Sequence, residues 1–248
     1  MDTYAPLNQV IKVSVEKELF GKSPSTQANF IVENLKSYMA KGLLPVNSKL
    51  NIQLLKKKYS VSTGVIQAVI DNLIETRYAY KGSKGIFVAG LSLAELREIL
   101  NLRLLLEKEA LKVAMEDGDD DWESSIVRVC HRLAKLERKI ISQSLEGDAD
   151  ILKEWSSLYK DFHLRLSLSS KLNISVKFIG ALYDQCDKYF LSSLLRHELS
   201  LKDISGDHEA LRDAVLARDA KGASSILSHH AEKIYQVLEG YIGVRHLN

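Results

Sequence analysis

Only two cysteines, Cys130 and Cys186, occur in 248 residues. That excludes a disulfide framework and a zinc site built on cysteine, and it makes a reducing, cytoplasmic compartment the expected setting. Long apolar runs are also missing: none approaches the ~20 residues that a membrane span needs. The opening stretch MDTYAPLNQVIKVSVEKELFGK is interrupted by charges where a signal peptide needs an apolar core, so none is expected. Internal repeats and low-complexity segments are lacking too. What is present is ordinary for a soluble chain of one or two domains, with 46% hydrophobic and 27% charged residues.

Charge is spread unevenly. Residues 1–90 carry 12 Lys/Arg against 6 Asp/Glu, whereas residues 91–248 carry 22 against 26. A basic head on an acidic body suggests that the head meets a polyanion. The alternative is a merely soluble surface.

The periodicity changes at the same place. In the head, Pro24 stands near a helix start with Ser23 or Ser25 as cap. Ile31, Val32, Leu35 and Met39 follow at helical spacing, and Gly42 ends the run. A linker, LLPVNSKL, precedes a second helix over Ile52 to Tyr59. Ser60-Val61-Ser62 is a turn and cap, and a third helix runs from Thr63 to about Arg77. Tyr78 to Lys81 and Gly85 to Val88 read as short strands around a glycine-bearing turn. Three helices and a hairpin, in that order, make a winged helix-turn-helix. After Gly90 no strand signal recurs. Helices are expected over 92–116, 120–142, 149–169, 173–199, 203–217 and 220–240, with apolar residues at three- and four-residue spacing. Such helices pack as an antiparallel bundle. The fold class is therefore mostly α: a winged helix-turn-helix over 23–90 behind an arm over 1–22, then an all-helical ligand-binding and dimerisation domain over 91–248.

Three histidines stand out in the body. His208 shares a helical face with Ile204, Leu211 and Val215. His230 lies with Ala223, Ile226, Leu227 and Ile234. His163 borders the Trp155–Leu158–Phe162–Leu166 stripe. A lone inward histidine is usually a hydrogen-bonded core residue, but three on separate helices suit a divalent metal such as Zn²⁺ or Ni²⁺. His131 and His229 read as surface residues. Phe178, Leu182 and Leu191 read as bundle packing. Arg103 can grip a carboxylate in two places, or it can pair internally with Glu107 one turn on.

At this point the chain resembles a known family. KLNIQLLKKKYSVSTGVIQAVIDNLIETRYAYKGSKGIFVA follows, without a gap, the winged helix-turn-helix of the GntR superfamily of bacterial transcription regulators. LAELREILNLRLLLEKEALKVAM, DFHLRLSLSSKLN and DHEALRDAVLARDAKGASSILSHHAEKI are similar to helices of the FCD ligand-binding domain in its FadR-type branch. The resemblance covers about residues 25–240. It implies a homodimer that binds a double-stranded DNA operator and a small organic acid. The stretch beginning DDWESSIV resembles regulators of small-carboxylic-acid catabolism.

Carried onto these positions, the resemblance makes Gln53, Lys56, Lys57, Ser62, Thr63, Gly64, Gln67, Lys81 and Lys84 the DNA-facing residues. It makes His163, His208 and His230 the metal ligands, and it points to Arg103 as the group that binds the acid; Tyr159, Tyr183 and Tyr189 read either as ligand-binding residues lining the cavity or as core. Two departures matter. The family pattern has arginines where this chain has Gln53, Thr63 and Gln67. Arginine reads guanine, whereas glutamine prefers adenine. The head therefore reads an altered, more A·T-rich site, or it has lost specific recognition and serves binding or protein interaction. Asp71, one turn past Gln67, adds a negative charge. The pattern also has an aspartate where this chain has Tyr159, which weakens the metal site, and Asp161 two residues from His163 points away. No general base is evident beside the histidines, so an enzyme is not expected.

Overall fold

The computed structural model describes Leu19 and residues 21–195, 200–203 and 205–245. The chain forms two compact units, divided between Leu91 and Ser92. The arm expected before residue 23 lies outside the described residues except for Leu19, Gly21 and Lys22.

The first unit holds α1 (Pro24–Ala40), α2 (Ile52–Tyr59), α3 (Thr63–Glu75) and a hairpin of β1 (Ala79–Gly82) and β2 (Gly85–Val88). Side-chain caps start its helices. Ser23 accepts from the Thr26 N–H, Asn51 from Leu54 and Ser62 from Val65, each satisfying a backbone donor with no partner inside the helix. Ser60 ends α2 in the left-handed conformation with φ of 51°. Arg77, at φ of 60°, does the same past α3, so that helix stops at Glu75 rather than at Arg77. The strands pair antiparallel with Tyr80 opposite Phe87, and these rings stack at 5.6 Å. The core is one apolar cluster that includes Ile31, Leu35, Leu55, Ile66, Val69 and Leu73, joined by Leu19.

The second unit holds α4 (Leu93–Asp117), α5 (Asp120–Gln143), α6 (Ala149–Leu168), α7 (Asn173–Leu194), a 3₁₀ turn (Leu201–Asp203), α8 (Asp207–Leu216) and α9 (Ala220–Arg245). Ser92, Asp119 and Asp148 cap α4, α5 and α6. α4 packs on α6, α7 and α9. α5 packs on α6 and α8, α6 on α7, and α8 on α9. The expected helix over 203–217 is instead split, because Gly206 takes φ of 109°, outside the helical region. That break starts α8 at Asp207. The expected helix over 173–199 ends at Leu194. Phe178, read as packing, is instead 59% exposed, whereas Leu182 is buried. Its register on α7 turns it outward, as it does Ile174 one turn before. Among the described residues no helix is long and apolar enough to cross a membrane.

Leu35 is fully buried, so Leu35→Ala is expected to destabilise the first unit by about 2–5 kcal/mol. Ser62→Ala, which removes the α3 cap, is expected to cost about 1 kcal/mol. Chemical denaturation followed by circular dichroism checks both.

Candidate functional site

The second unit draws three buried histidines together. His163 comes from α6, His208 from the first turn of α8, and His230 from α9. One ligand-capable atom from each lies within 4.8 Å of the others. The ring centroids are 5.5 Å apart for His163–His208 and for His163–His230, and 5.0 Å for His208–His230.

Each ring turns Nδ1 toward a carboxylate. His230 Nδ1 lies 3.1 Å from Asp207, His163 Nδ1 lies 3.5 Å from Glu107, and His208 Nδ1 lies 3.6 Å from Glu137. Only the first is a hydrogen bond; both ring nitrogens of His163 and of His208 have no hydrogen-bond partner. Carboxylates on the Nδ1 side leave Nε2 as the atom offered to a metal, and the hydrogen bond to Asp207 fixes the ring of His230 and opposes the lowering of its pKa. Burial pushes all three histidines below their usual pKa. The neighbouring histidines add to this for His163 and His208, while the Asp207 hydrogen bond opposes it for His230. The rings are therefore neutral near pH 7, the form that binds metal. Buried nitrogens without partners, in neutral rings backed by carboxylates, fit a divalent ion.

Tyr159 lies one turn before His163 and packs against the whole triad. Its ring centroid is 4.9 Å from that of His163, 5.4 Å from His208 and 6.0 Å from His230. Its hydroxyl is 3.0 Å from His230 Nε2. Burial pushes the phenol pKa up, so it is protonated. Asp161 turns away and pairs with Arg165 at 3.0 Å.

Beside the triad, Arg103 is buried on α4. Its Nε lies 3.4 Å from Glu107, and its guanidinium covers the Tyr183 ring at 4.4 Å. The Nε contact is an ion pair without hydrogen-bond alignment. Tyr183 donates its hydroxyl to Glu107, and Cys186 Sγ is 3.9 Å from Arg103 Nη1. Burial opposes the Arg103 charge, but Tyr183 and Glu107 outweigh it and keep the guanidinium charged.

The sequence-derived site residues thus separate into two groups within this unit. Arg103, Tyr159, Tyr183 and the three histidines come together. Tyr189 does not join them: its hydroxyl donates to the Ser92 carbonyl at 3.0 Å and to Glu95 at 2.8 Å. His131 and His229 are exposed. Asp207 and Glu137 were not anticipated. Glu137 was legible as a charge in the apolar register of Cys130, Leu133 and Ile140 on α5. It accepts from Trp155 Nε1 at 3.2 Å, and burial raises its carboxyl to about 7. Glu107 and Glu137 do bring carboxylates beside the rings, but on the Nδ1 side and already engaged by Tyr183 and Trp155.

In the first unit, Gln53, Lys57, Ser62, Thr63, Gly64, Gln67, Lys81 and Lys84 are exposed, and Lys56 is half-buried. Ser62 spends its hydroxyl on the cap. Lys56 Nζ donates to Thr63 Oγ1 at 3.0 Å, and Gln67 Nε2 donates to Asp71 at 2.8 Å.

A helix-turn-helix with a hairpin wing and an all-helical unit enclosing a buried polar cluster are the two parts of a transcription regulator. The FCD domain model matches residues 98–233, more than half the chain. The chain belongs to the FCD-domain family of transcription regulators. It is 28% identical over 214 residues to the HTH-type transcriptional regulator BphR of Paraburkholderia xenovorans, covering 84% of each chain. It is 28% identical over 200 residues to the HTH-type transcriptional repressor GlaR of Escherichia coli, covering 79% of this chain and 88% of that one. The structure of E. coli McbR/YncC shares the fold at a TM-score of 0.65, with 18% identity and coverage of 87% of this chain and 98% of that one.

Removing Arg103 strands a buried carboxylate. Arg103→Met is expected to destabilise the second unit by about 3–5 kcal/mol. Arg103→Met/Glu107→Gln, which keeps an acceptor for Tyr183 but no net charge, is expected to recover most of that. Urea unfolding of both variants provides the check.

Proposed function

We propose that this regulator is a cytoplasmic homodimer that senses a small organic acid in the pocket of its second unit and answers by a change in operator binding. The observation that carries this reading is a charged guanidinium, Arg103, buried beside three neutral histidines. A buried fork of N–H donors is suited to a carboxylate. Nε2 of His163, His208 and His230 would hold a divalent ion, Zn²⁺ or Ni²⁺. When bound, that ion supplies a Lewis acid for a second carboxylate oxygen. Tyr159 and Tyr183 supply hydroxyls and ring faces to the rest of the acid.

Support for a second copy comes from apolar side chains left open on α4 and α7. Leu102 and Leu105 are 46% and 67% exposed, and Ile174 and Phe178 are 75% and 59% exposed. A dimer would bury them and match the symmetry of a palindromic operator. Effector binding would then shift the population between DNA-competent and incompetent arrangements, by as much as its affinity differs between them.

On DNA, the exposed start of α3 is the reading edge. Gln53 and Gln67 bring amide pairs suited to adenine, and Lys57, Lys81 and Lys84 bring phosphate contacts. The test is fluorescence anisotropy with the fragment upstream of the gene and with a scrambled duplex, at low and physiological salt. Tight binding to the first alone, altered by one member of a panel of small carboxylates, supports the reading. Equal, salt-labile binding to both would overturn sequence-specific recognition and favour a head serving non-specific or protein contacts.

Gln67→Ala is expected to lower discrimination at one base position by about 1–3 kcal/mol. Lys57→Ala is expected to weaken all sequences alike and reduce the salt slope by about one. Competition binding against single-base operator variants separates the two.

A further inference from the structure

Two of the three triad histidines offer bare ring nitrogens, and the third does not. Both nitrogens of His163 and of His208 lack a partner. His230 is held at both ends: its Nδ1–H donates to Asp207 at 3.1 Å, and Tyr159 lies 3.0 Å from Nε2. Because Asp207 takes the Nδ1 proton, Nε2 carries the lone pair and the phenol must be the donor. That lone pair is the one a metal would use. Tyr159 cannot swing aside freely: its ring packs on Trp155 at 5.3 Å, on Tyr183 at 5.7 Å and on Phe190 at 5.6 Å.

We propose that Tyr159 is an internal competitor for the metal, its hydroxyl occupying the lone pair of His230 so that a divalent ion completes the triad only by displacing a hydrogen bond of the protein itself. The inference rests on reading the triad as a metal site. It gives the tyrosine a role opposite to that of a ligand. A carboxylate at this position would add a negative charge to the metal's first shell, whereas the phenol holds one of the three nitrogens closed. The triad is then a weak, exchangeable site, filled according to the supply of free metal.

The sign of one substitution decides the matter. Removing a competing hydrogen bond strengthens metal binding, and removing a ligand weakens it. A net hydrogen bond contributes about 0.5–1.5 kcal/mol, which corresponds to about 2- to 13-fold in affinity. The experiment uses the full chain stripped with a chelator. Co²⁺ is followed by its visible spectrum, and Zn²⁺ by competition with a chromophoric chelator. Tyr159→Phe is expected to bind both ions about 2- to 13-fold more tightly than the wild type, and Tyr159→Asp more tightly still. Tyr159→Leu serves as a second variant without the hydroxyl and should change affinity in the same direction as Tyr159→Phe. Circular dichroism verifies that each variant is folded. Weaker or unchanged binding in Tyr159→Phe and Tyr159→Leu, alongside firm binding in Tyr159→Asp, overturns the competitor role and leaves the metal triad standing. Absence of saturable binding even in folded Tyr159→Asp overturns both.

Discussion

The second unit is organised around a positive charge with no access to water. Arg103 is only 1% exposed, and taking a guanidinium out of solvent costs several kcal/mol before any pairing. Three groups offset that cost: the Glu107 carboxylate one turn along, the face of the Tyr183 ring and the polarisable Cys186 sulfur. Each carries a consequence. Glu107 is shared with Tyr183 and lies behind His163, so the charge cluster and the histidine triad are one electrostatic unit. A buried ion pair of this kind adds little to stability compared with apolar residues of the same volume. In the proposed reading its presence is explained by the carboxylate that an unexposed fork could recognise.

The same helix that closes this cluster also holds the start of the unit. α7 sends Tyr183 and Cys186 to Arg103, and one turn further on it sends Lys188 and Tyr189 to the first turn of α4. The buried Lys188 meets Glu95 at 2.6 Å, and Tyr189 bonds both Glu95 and the carbonyl of Ser92, the cap residue with which the unit begins. In the proposed reading, a displacement of Tyr183 by a bound acid would reach the residues that follow Leu91 along α7. That explains why Tyr189, expected in the pocket, is fully buried yet faces elsewhere.

How much of this was legible follows from the kind of signal each feature leaves. Caps are local, so Ser23 and Ser62 were readable from short spacings, and the winged head followed from a change of period and two glycines. The histidines were readable because each sits in an apolar register on its own helix. The split near Gly206 was not, since one glycine within a helical pattern is tolerated as often as it breaks one. Asp207 became a partner of His230 only through that break, which sets the first turn of α8 against α9. Glu137 left a trace as a charge in a core register, but which histidine it backs depends on how α5 meets α8, a tertiary fact. Phe178 was misread because an apolar residue at helical spacing does not reveal whether its face is covered by the same chain.

Both functional ends of the chain depart from the pattern they resemble in the same chemical sense. In the head, Gln53, Thr63 and Gln67 stand where full positive charges are expected; in the pocket, Tyr159 stands where a full negative charge is expected. Each exchange replaces a long-range, salt-sensitive attraction with a short-range hydrogen bond that depends on alignment. These neutral groups already have partners inside the protein: Thr63 with Lys56, Gln67 with Asp71, and Tyr159 with His230. A ligand of either site must therefore exchange an existing bond for a new one, and the gain is the difference between two similar energies. Discrimination under such an exchange comes from geometry, because only a partner that restores every displaced bond binds without loss. On the proposed reading, the lysines would hold the head to a polyanion whatever its sequence, and Arg103 would hold an acid whatever its shape. The neutral groups around them would then select among the ligands that those charges collect.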